Sequence, residues 1–179
     1  VPSSYDLSDV LRYGSEGRNV ILVKVDATDY EGWWYEGSGI YRHVWLIKTD
    51  KIHVARYGTF VTTPSISDKE AVVNIKTTLQ NEYKSVKSVT LVSKIVDAQG
   101  QVLDRLTSSL PIKPFGQIEI EQEALVRNPA LWSPETPVLY EVQTEVMENG
   151  KIVDTYETTF GIRTVEMRTD GFYLNGKLY

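Results

Sequence analysis

Ala71-Val72-Val73-Asn74-Ile75-Lys76-Thr77-Thr78-Leu79-Gln80 sorts its side chains by parity. In an extended chain successive side chains point to opposite faces, so Ala71, Val73, Ile75, Thr77 and Leu79 share one side, and Val72, Asn74, Lys76, Thr78 and Gln80 the other. One face suits a core and the other suits water, the mark of a strand in an antiparallel sheet covered on one side. The same period continues through 89–97, 101–110, 116–123, 138–148 and 151–160, at spacings typical of stacked antiparallel strands. Helical periodicity is almost missing, and the reading is six or seven strands of an all-β domain.

Turn residues punctuate these strands. Asn149-Gly150, between two alternating runs, is the two-residue signal of a type I′ hairpin turn, and Asp170-Gly171 and Asn175-Gly176 repeat it. The span from about Tyr57 to Val165 fits the roughly 100 residues of an immunoglobulin-like β-sandwich. The chain has no cysteine, which excludes the disulfide of antibody domains and leaves a fibronectin-like variant. Pro129, Pro134 and Pro137 bracket Leu131-Trp132, prevent regular pairing there, and make Trp132 the expected anchor of a loop at one end of the sandwich.

Upstream the pattern changes. Residues 19–26, Asn-Val-Ile-Leu-Val-Lys-Val-Asp, are too continuously apolar for a one-sided strand and predict one buried on both faces. A short turn is expected near Ser8-Asp9-Val10-Leu11, with Ser8 as its N-cap. Residues 32–46 crowd large aromatic residues and glycines into a segment too short for a core of its own. Gly37 and Gly39 flank Ser38 in a tight turn, and 40–47 reads as the strand it feeds.

Composition limits the functions these elements can serve. With 179 residues, 41% hydrophobic and 24% charged, the chain reads as an ordinary soluble globular one of two small domains. A net charge of −5 and pI near 5.1 disfavour nucleic acid and anionic lipid as partners. No apolar run approaches the roughly 20 residues that cross a bilayer as a helix. His43 and His53 stand apart, without the spacing of metal ligands.

Four separated motifs, in order, carry a family resemblance. They are Pro2-Ser3-Ser4-Tyr5-Asp6-Leu7-Ser8 with Asn19-Val20; Gly37-Ser38-Gly39-Ile40-Tyr41-Arg42; Asn128-Pro129-Ala130-Leu131-Trp132-Ser133-Pro134-Glu135; and Phe160-Gly161-Ile162-Arg163 followed by Leu174-Asn175-Gly176-Lys177. Together they resemble glycoside hydrolase family 2, with the β-galactosidases as the nearest likeness and β-glucuronidases and β-mannosidases sharing the scaffold. The resemblance implies a modular, retaining enzyme: a jelly-roll sugar-binding domain, an immunoglobulin-like domain and a TIM barrel. On that basis residues 1–56 are the C-terminal part of the jelly-roll, 57–165 the sandwich and 166–179 the lead-in to the barrel. The expected fold is therefore an immunoglobulin-like sandwich preceded by a partial jelly-roll. Glu36 departs from the family pattern, where proline commonly precedes Gly-Ser-Gly.

Retaining glycosidases use two carboxyl groups about 5.5 Å apart, and the resemblance puts both on barrel strands, so no catalytic residue, metal ligand or cofactor is expected within this chain. The acidic residues present have plainer roles. Glu119, Glu121 and Glu123 share one face of a strand as a solvated stripe, and Asp26, Asp29, Glu31 and Glu36 sit in a loop with turn-forming neighbours. Trp33, Trp34, Tyr35 and Tyr41 are the candidates for sugar stacking or, the favoured reading, for packing against the barrel, and Arg42 either pairs with a carboxylate across that interface or is solvated. The expected partners are the carbohydrate substrate of the parent enzyme, its own barrel, and a second copy if the parent is a homo-oligomer. The alternative is a free-standing carbohydrate- or protein-binding β-sandwich module. A clipped jelly-roll would expose apolar faces and strand edges, and is expected to associate or fray.

Overall fold

The computed structural model describes residues 4–15, 17–26, 28, 39–40, 42–67 and 69–179. The chain divides into two compact units, Val1–Leu46 and Ile47–Tyr179.

In the first unit no strand forms among the described residues, which corrects the strands expected over 19–26 and at the start of 40–47. Val20, Ile21, Leu22, Val23 and Val25 are exposed, Leu22 to 91%. A strand exists only as a member of a ladder, because its N–H and C=O groups need a neighbour, and none of the described residues supplies one. The side-chain pattern says which faces a sheet would bury; it does not create the partner. The turn near residue 8 is present, with Val10 and Leu11 donating to Leu7 O at 3.0 and 3.1 Å. Its cap is Asp6 rather than Ser8: Asp6 Oδ1 accepts from the Ser8 N–H at 2.9 Å. Asn19 stands in for a strand partner, accepting from Arg12 N–H at 2.9 Å and donating to Arg12 O at 2.8 Å.

The second unit is the sandwich. Its strands are β1 (Ile52–Ile66), β2 (Glu70–Asn81), β3 (Lys87–Val96), β4 (Val102–Ile112), β5 (Gln117–Arg127), β6 (Tyr140–Glu148) and β7 (Lys151–Phe160). They form antiparallel sheets in the orders β1-β2-β5 and β4-β3-β6-β7, the three-on-four arrangement of a disulfide-free immunoglobulin-like fold. A third sheet, β8 (Val165–Arg168), β9 (Gly171–Leu174) and β10 (Lys177–Leu178), is a short meander after the sandwich. The first sandwich strand opens at Ile52, ahead of Tyr57, and Ile52 and Val54 already belong to the core.

Parity decides the burial, as the alternation in β2 predicts: Ala71, Val73, Ile75, Thr77 and Leu79 are all fully buried. The apolar side chains gather in two clusters, one around Val73, Ile75, Ile95 and Val142, the other around Leu79, Leu91, Ile112 and Val146. Between them in sequence on β2, β5, β3 and β6 lie Thr77, Gln122, Ser93 and Thr144, a buried polar belt across the middle of the sandwich. Gln122 Nε2 donates to Ser108 Oγ at 3.0 Å. At one end Asn81 is fully buried; its amide donates to the carbonyls of Ser85, Ile112 and Lys113 at 2.9 to 3.1 Å, and its oxygen accepts from Tyr83 N–H at 2.9 Å. Tyr140, at the start of β6, accepts from Ala130 N–H at 2.8 Å through its hydroxyl, tying the incoming loop to the sandwich as a tyrosine corner does.

The β6–β7 hairpin is the expected type I′ turn, with Asn149 at φ 51° and Gly150 at 77°. Asn175 and Gly176 repeat it at 51° and 74°. The turn before β9 differs by one residue from expectation. Thr169 and Asp170 occupy it, and Gly171, at φ 151°, already pairs with Arg168.

Candidate functional site at the Trp132 junction

Three stretches far apart in sequence meet at Trp132. The loop between β5 and β6 cannot join a ladder because of its prolines, and it closes instead on a small turn in which Ser133 N–H donates to Thr136 O at 3.1 Å and Thr136 N–H to Ser133 O at 3.2 Å. This presents Trp132 to the segment leaving β7. Trp132 N–H donates to Ile162 O at 2.8 Å, and Trp132 O accepts from Asn175 Nδ2 at 3.0 Å. Asn175 in turn exchanges two bonds with Thr164, N–H to Thr164 O at 3.0 Å and Oδ1 from Thr164 N–H at 3.0 Å. The indole rests on Gly161, and the Arg163 guanidinium stacks at 5.0 Å from its ring centroid. Thr63 Oγ1 donates to Arg163 O at 3.0 Å and brings β1 into the same knot. Thus the 128–135, 160–163 and 174–177 stretches converge, and Trp132 is the loop anchor expected of it.

The meander is fastened a second time at its far end. Tyr179 hydroxyl donates to Glu135 Oε2, Tyr179 N–H donates to Phe172 O at 2.9 Å, and the Phe172 and Tyr179 rings meet edge to face at 6.4 Å. The Tyr179 hydroxyl, with the Glu135 backbone N–H and Ser133 behind it, holds the Glu135 carboxyl below its ordinary pKa. The same hydrogen bond raises Tyr179. Every one of these bonds ties the loop, the exit of β7 or the meander to its neighbour.

Trp33, Trp34, Tyr35 and Tyr41 lie outside the described residues, and Arg42 is exposed at a bend. Beside it His43 and Trp45 stack at 5.5 Å with 21° between their planes, Trp45 being 76% exposed. Sequence reasoning passed over this pair; its signal was an i, i+2 spacing in an extended segment, which puts both rings on one side.

The described acidic residues take the plainer roles. Glu119, Glu121 and Glu123 alternate with buried positions on β5, and Glu119 and Glu121 lie 3.9 and 3.8 Å from Lys76 Nζ across the solvated face. Asn74 Nδ2 donates to Glu121 Oε1 at 2.7 Å. Asp26 is held below its ordinary pKa first by the Thr28 hydroxyl, then by Thr28 N–H and Lys24; Asp29, Glu31 and Glu36 lie outside the described residues. Asp6 too is lowered, chiefly by Ser8 N–H. A glycosidase acid needs its carboxyl shifted the other way. An open hollow of about 460 Å³ near the start of β6 contains Asp97 and Glu141, but both carboxylates are taken as acceptors: Asp97 by Gln99 and Gln101 N–H at 2.9 and 2.8 Å, Glu141 by Gln143 Nε2 at 2.8 Å. Among the described residues no group of three or more metal-ligating side chains occurs, and no helix is long and apolar enough to cross a membrane.

Comparison with known proteins agrees with this architecture. The chain is 42% identical over 176 residues to the β-galactosidase BoGH2A of Bacteroides ovatus, covering 97% of this chain and 20% of that protein. It is 32% identical over 199 residues to a β-glucuronidase of Formosa agariphila, covering 99% of this chain and again 20% of the relative. Among solved structures, a glycosyl hydrolase family 2 member from Bacteroides cellulosilyticus superposes with a TM-score of 0.70 at 30% identity, over 73% of this chain and 17% of that one. A family 2 β-glucuronidase gives 0.67 at 33% identity, over 72% and 14%. The chain spans about a fifth of the length of the curated relatives it matches. The model of glycosyl hydrolases family 2 matches residues 52–163, from the first residue of β1 to the arginine on Trp132, and the chain belongs to that family.

Proposed function

We propose that this chain is a non-catalytic segment of a retaining, β-galactosidase-like family 2 hydrolase that cleaves terminal β-glycosidic bonds, and that its task is to hold the catalytic barrel in place. The observation that carries the reading is the Trp132 junction: the loop, the exit from β7 and the start of the meander are tied by hydrogen bonds through Trp132 and Asn175, so that a barrel joined after Tyr179 would start from a braced platform. In this reading the residues ahead of Ile52 are the end of the sugar-binding jelly-roll, 52–164 the sandwich and 165–179 the lead-in to the barrel. The chemistry resides in two barrel glutamates outside these residues. The downward shifts of Asp6, Asp26 and Glu135 support that division of labour, since none has the raised pKa of a proton donor. Trp33, Trp34, Tyr35, Tyr41 and Arg42 are assigned to the interface with the barrel and its mouth.

The test uses the longer protein that carries this segment, assayed with chromogenic β-galactosides. Gly161→Ala should lower kcat with little change in KM, because a misplaced barrel mouth impairs the transition state rather than uniform binding. Unchanged kcat in a folded Gly161→Ala enzyme contradicts the positioning role.

A further inference from the structure

Both open sides of the four-stranded sheet carry the same short device. Gly100-Gln101-Val102-Leu103-Asp104 leads into β4, and Gly150-Lys151-Ile152-Val153-Asp154 leads into β7. Each run starts from a glycine at positive φ, 82° and 77°. Each then breaks register at its fourth residue. Ile95 pairs with Asp104 and Val96 with Val102, passing over Leu103; Val146 pairs with Asp154 and Met147 with Ile152, passing over Val153. One extra residue in a strand bends it and re-aims the side chain beyond it. Here the side chains re-aimed are the two aspartates, and both reach the other sheet. Asp104 Oδ2 accepts from Leu125 N–H at 3.3 Å while its Oδ1 accepts from Arg105 N–H at 2.7 Å. Asp154 Oδ2 accepts from Val54 N–H at 2.8 Å.

The two amides have matching positions. Val54 is on β1 and Leu125 on β5, the outer strands of the three-stranded sheet, each with β2 as its one neighbour. An N–H that bonds to a carboxylate on the facing sheet is an edge donor with no ladder partner. Such donors are where another strand can be added, and natural sheets blunt them with bulges and inward-pointing charges. We propose that Asp104 and Asp154 are a duplicated edge lock, each occupying the N–H through which a second copy of this chain would add a strand to the three-stranded sheet. A bond to a charged acceptor is stronger than one to a neutral carbonyl, so an incoming backbone competes poorly and leaves the carboxylate oxygen it displaces without its donor at the seam.

Amide hydrogen exchange on the whole chain, combined with thioflavin T on warming, tests this. In the wild type, Val54 and Leu125 should exchange at least about tenfold slower than free peptide although neither N–H bonds to a neighbouring strand. Asp154→Ala should speed Val54 by about tenfold and leave Leu125 unchanged, and Asp104→Ala should do the reverse. The Asp104→Ala/Asp154→Ala variant should assemble several times faster than both the wild type and the double asparagine variant, which keeps an oxygen acceptor at each seam. Free-peptide exchange of the two amides in the wild type overturns the proposal, as does a folded double-alanine chain that assembles no faster than wild type. Should the alanine variants not fold, Asp104→Asn and Asp154→Asn decide: exchange at the facing amide rises with the weaker neutral acceptor, and an unchanged rate overturns the lock.

Discussion

Trp132 lies on the backbone of Gly161 with no room to spare: a Cβ added at residue 161 would stand 2.8 Å from both Cβ and Cγ of the tryptophan. The contact joins the proline-rich loop to the exit of β7. It also explains why glycine is required between Phe160 and Ile162, both of which pack into or against the core.

Gly161→Ala therefore forces the indole off its seat. The expected cost is about 2 kcal/mol or more, the range for overpacking a filled site. Urea unfolding followed by tryptophan fluorescence checks it, and a change below about 0.5 kcal/mol would show that the loop moves aside freely.

Asn81 makes a second claim on stability. Its side chain serves three carbonyls and one N–H inside the sandwich end, so Asn81→Ala orphans several buried groups at once. The expected loss is about 3 kcal/mol. Asn81→Asp should not restore it, since a carboxylate has no N–H to offer those carbonyls; the urea midpoints of the two variants against wild type decide.

The two faces of the sandwich should respond differently to truncation. Ile75, fully buried in the core, should cost about 2–5 kcal/mol as Ile75→Ala. Glu121→Ala, on the solvated face beside Lys76, should stay within about 0.5 kcal/mol. Equal costs at the two positions would contradict the assignment of faces.

Much of this was legible from residue order because the sandwich is built from local signals. The parity of Ala71 to Leu79 gave one face of β2, Asn149-Gly150 gave the hairpin, and Pro129 to Pro137 gave the loop that Trp132 anchors. What parity cannot carry is a partner: Val20 to Val25 have the apolar content of a central strand, yet with no neighbour among the described residues to complete a ladder they stay exposed. The bulges before Asp104 and Asp154 were invisible for a related reason, since a register shift belongs to a pair of strands rather than to either one. The convergence of Trp132, Gly161 and Asn175 is likewise a property of the fold; sequence order displays the three pieces but not their meeting.

The tie between Tyr179 and Glu135 has a pH window. Glu135 is lowered by the Tyr179 hydroxyl, so its contribution is complete above the ordinary glutamate pKa and is lost as pH falls through the depressed folded value. Tyr179 is raised by the same bond, so its share is present below the ordinary tyrosine pKa and is lost as pH rises through the elevated one. Phe172 and Tyr179 ring resonances followed by NMR should show Tyr179 docked across neutral pH and released toward both extremes. In Glu135→Gln the acid-side release should disappear, and its persistence would locate the titrating group elsewhere.

The most direct measurement is glycosidase activity of the purified 179-residue chain itself, with chromogenic β-galactosides and β-glucuronides as substrates. A scaffold segment whose shifted carboxyl groups Asp6, Asp26 and Glu135 all move down should give no turnover above buffer at any pH. Turnover that stays with the chain through re-purification, and disappears on substitution of one of its own carboxylates, would contradict the account.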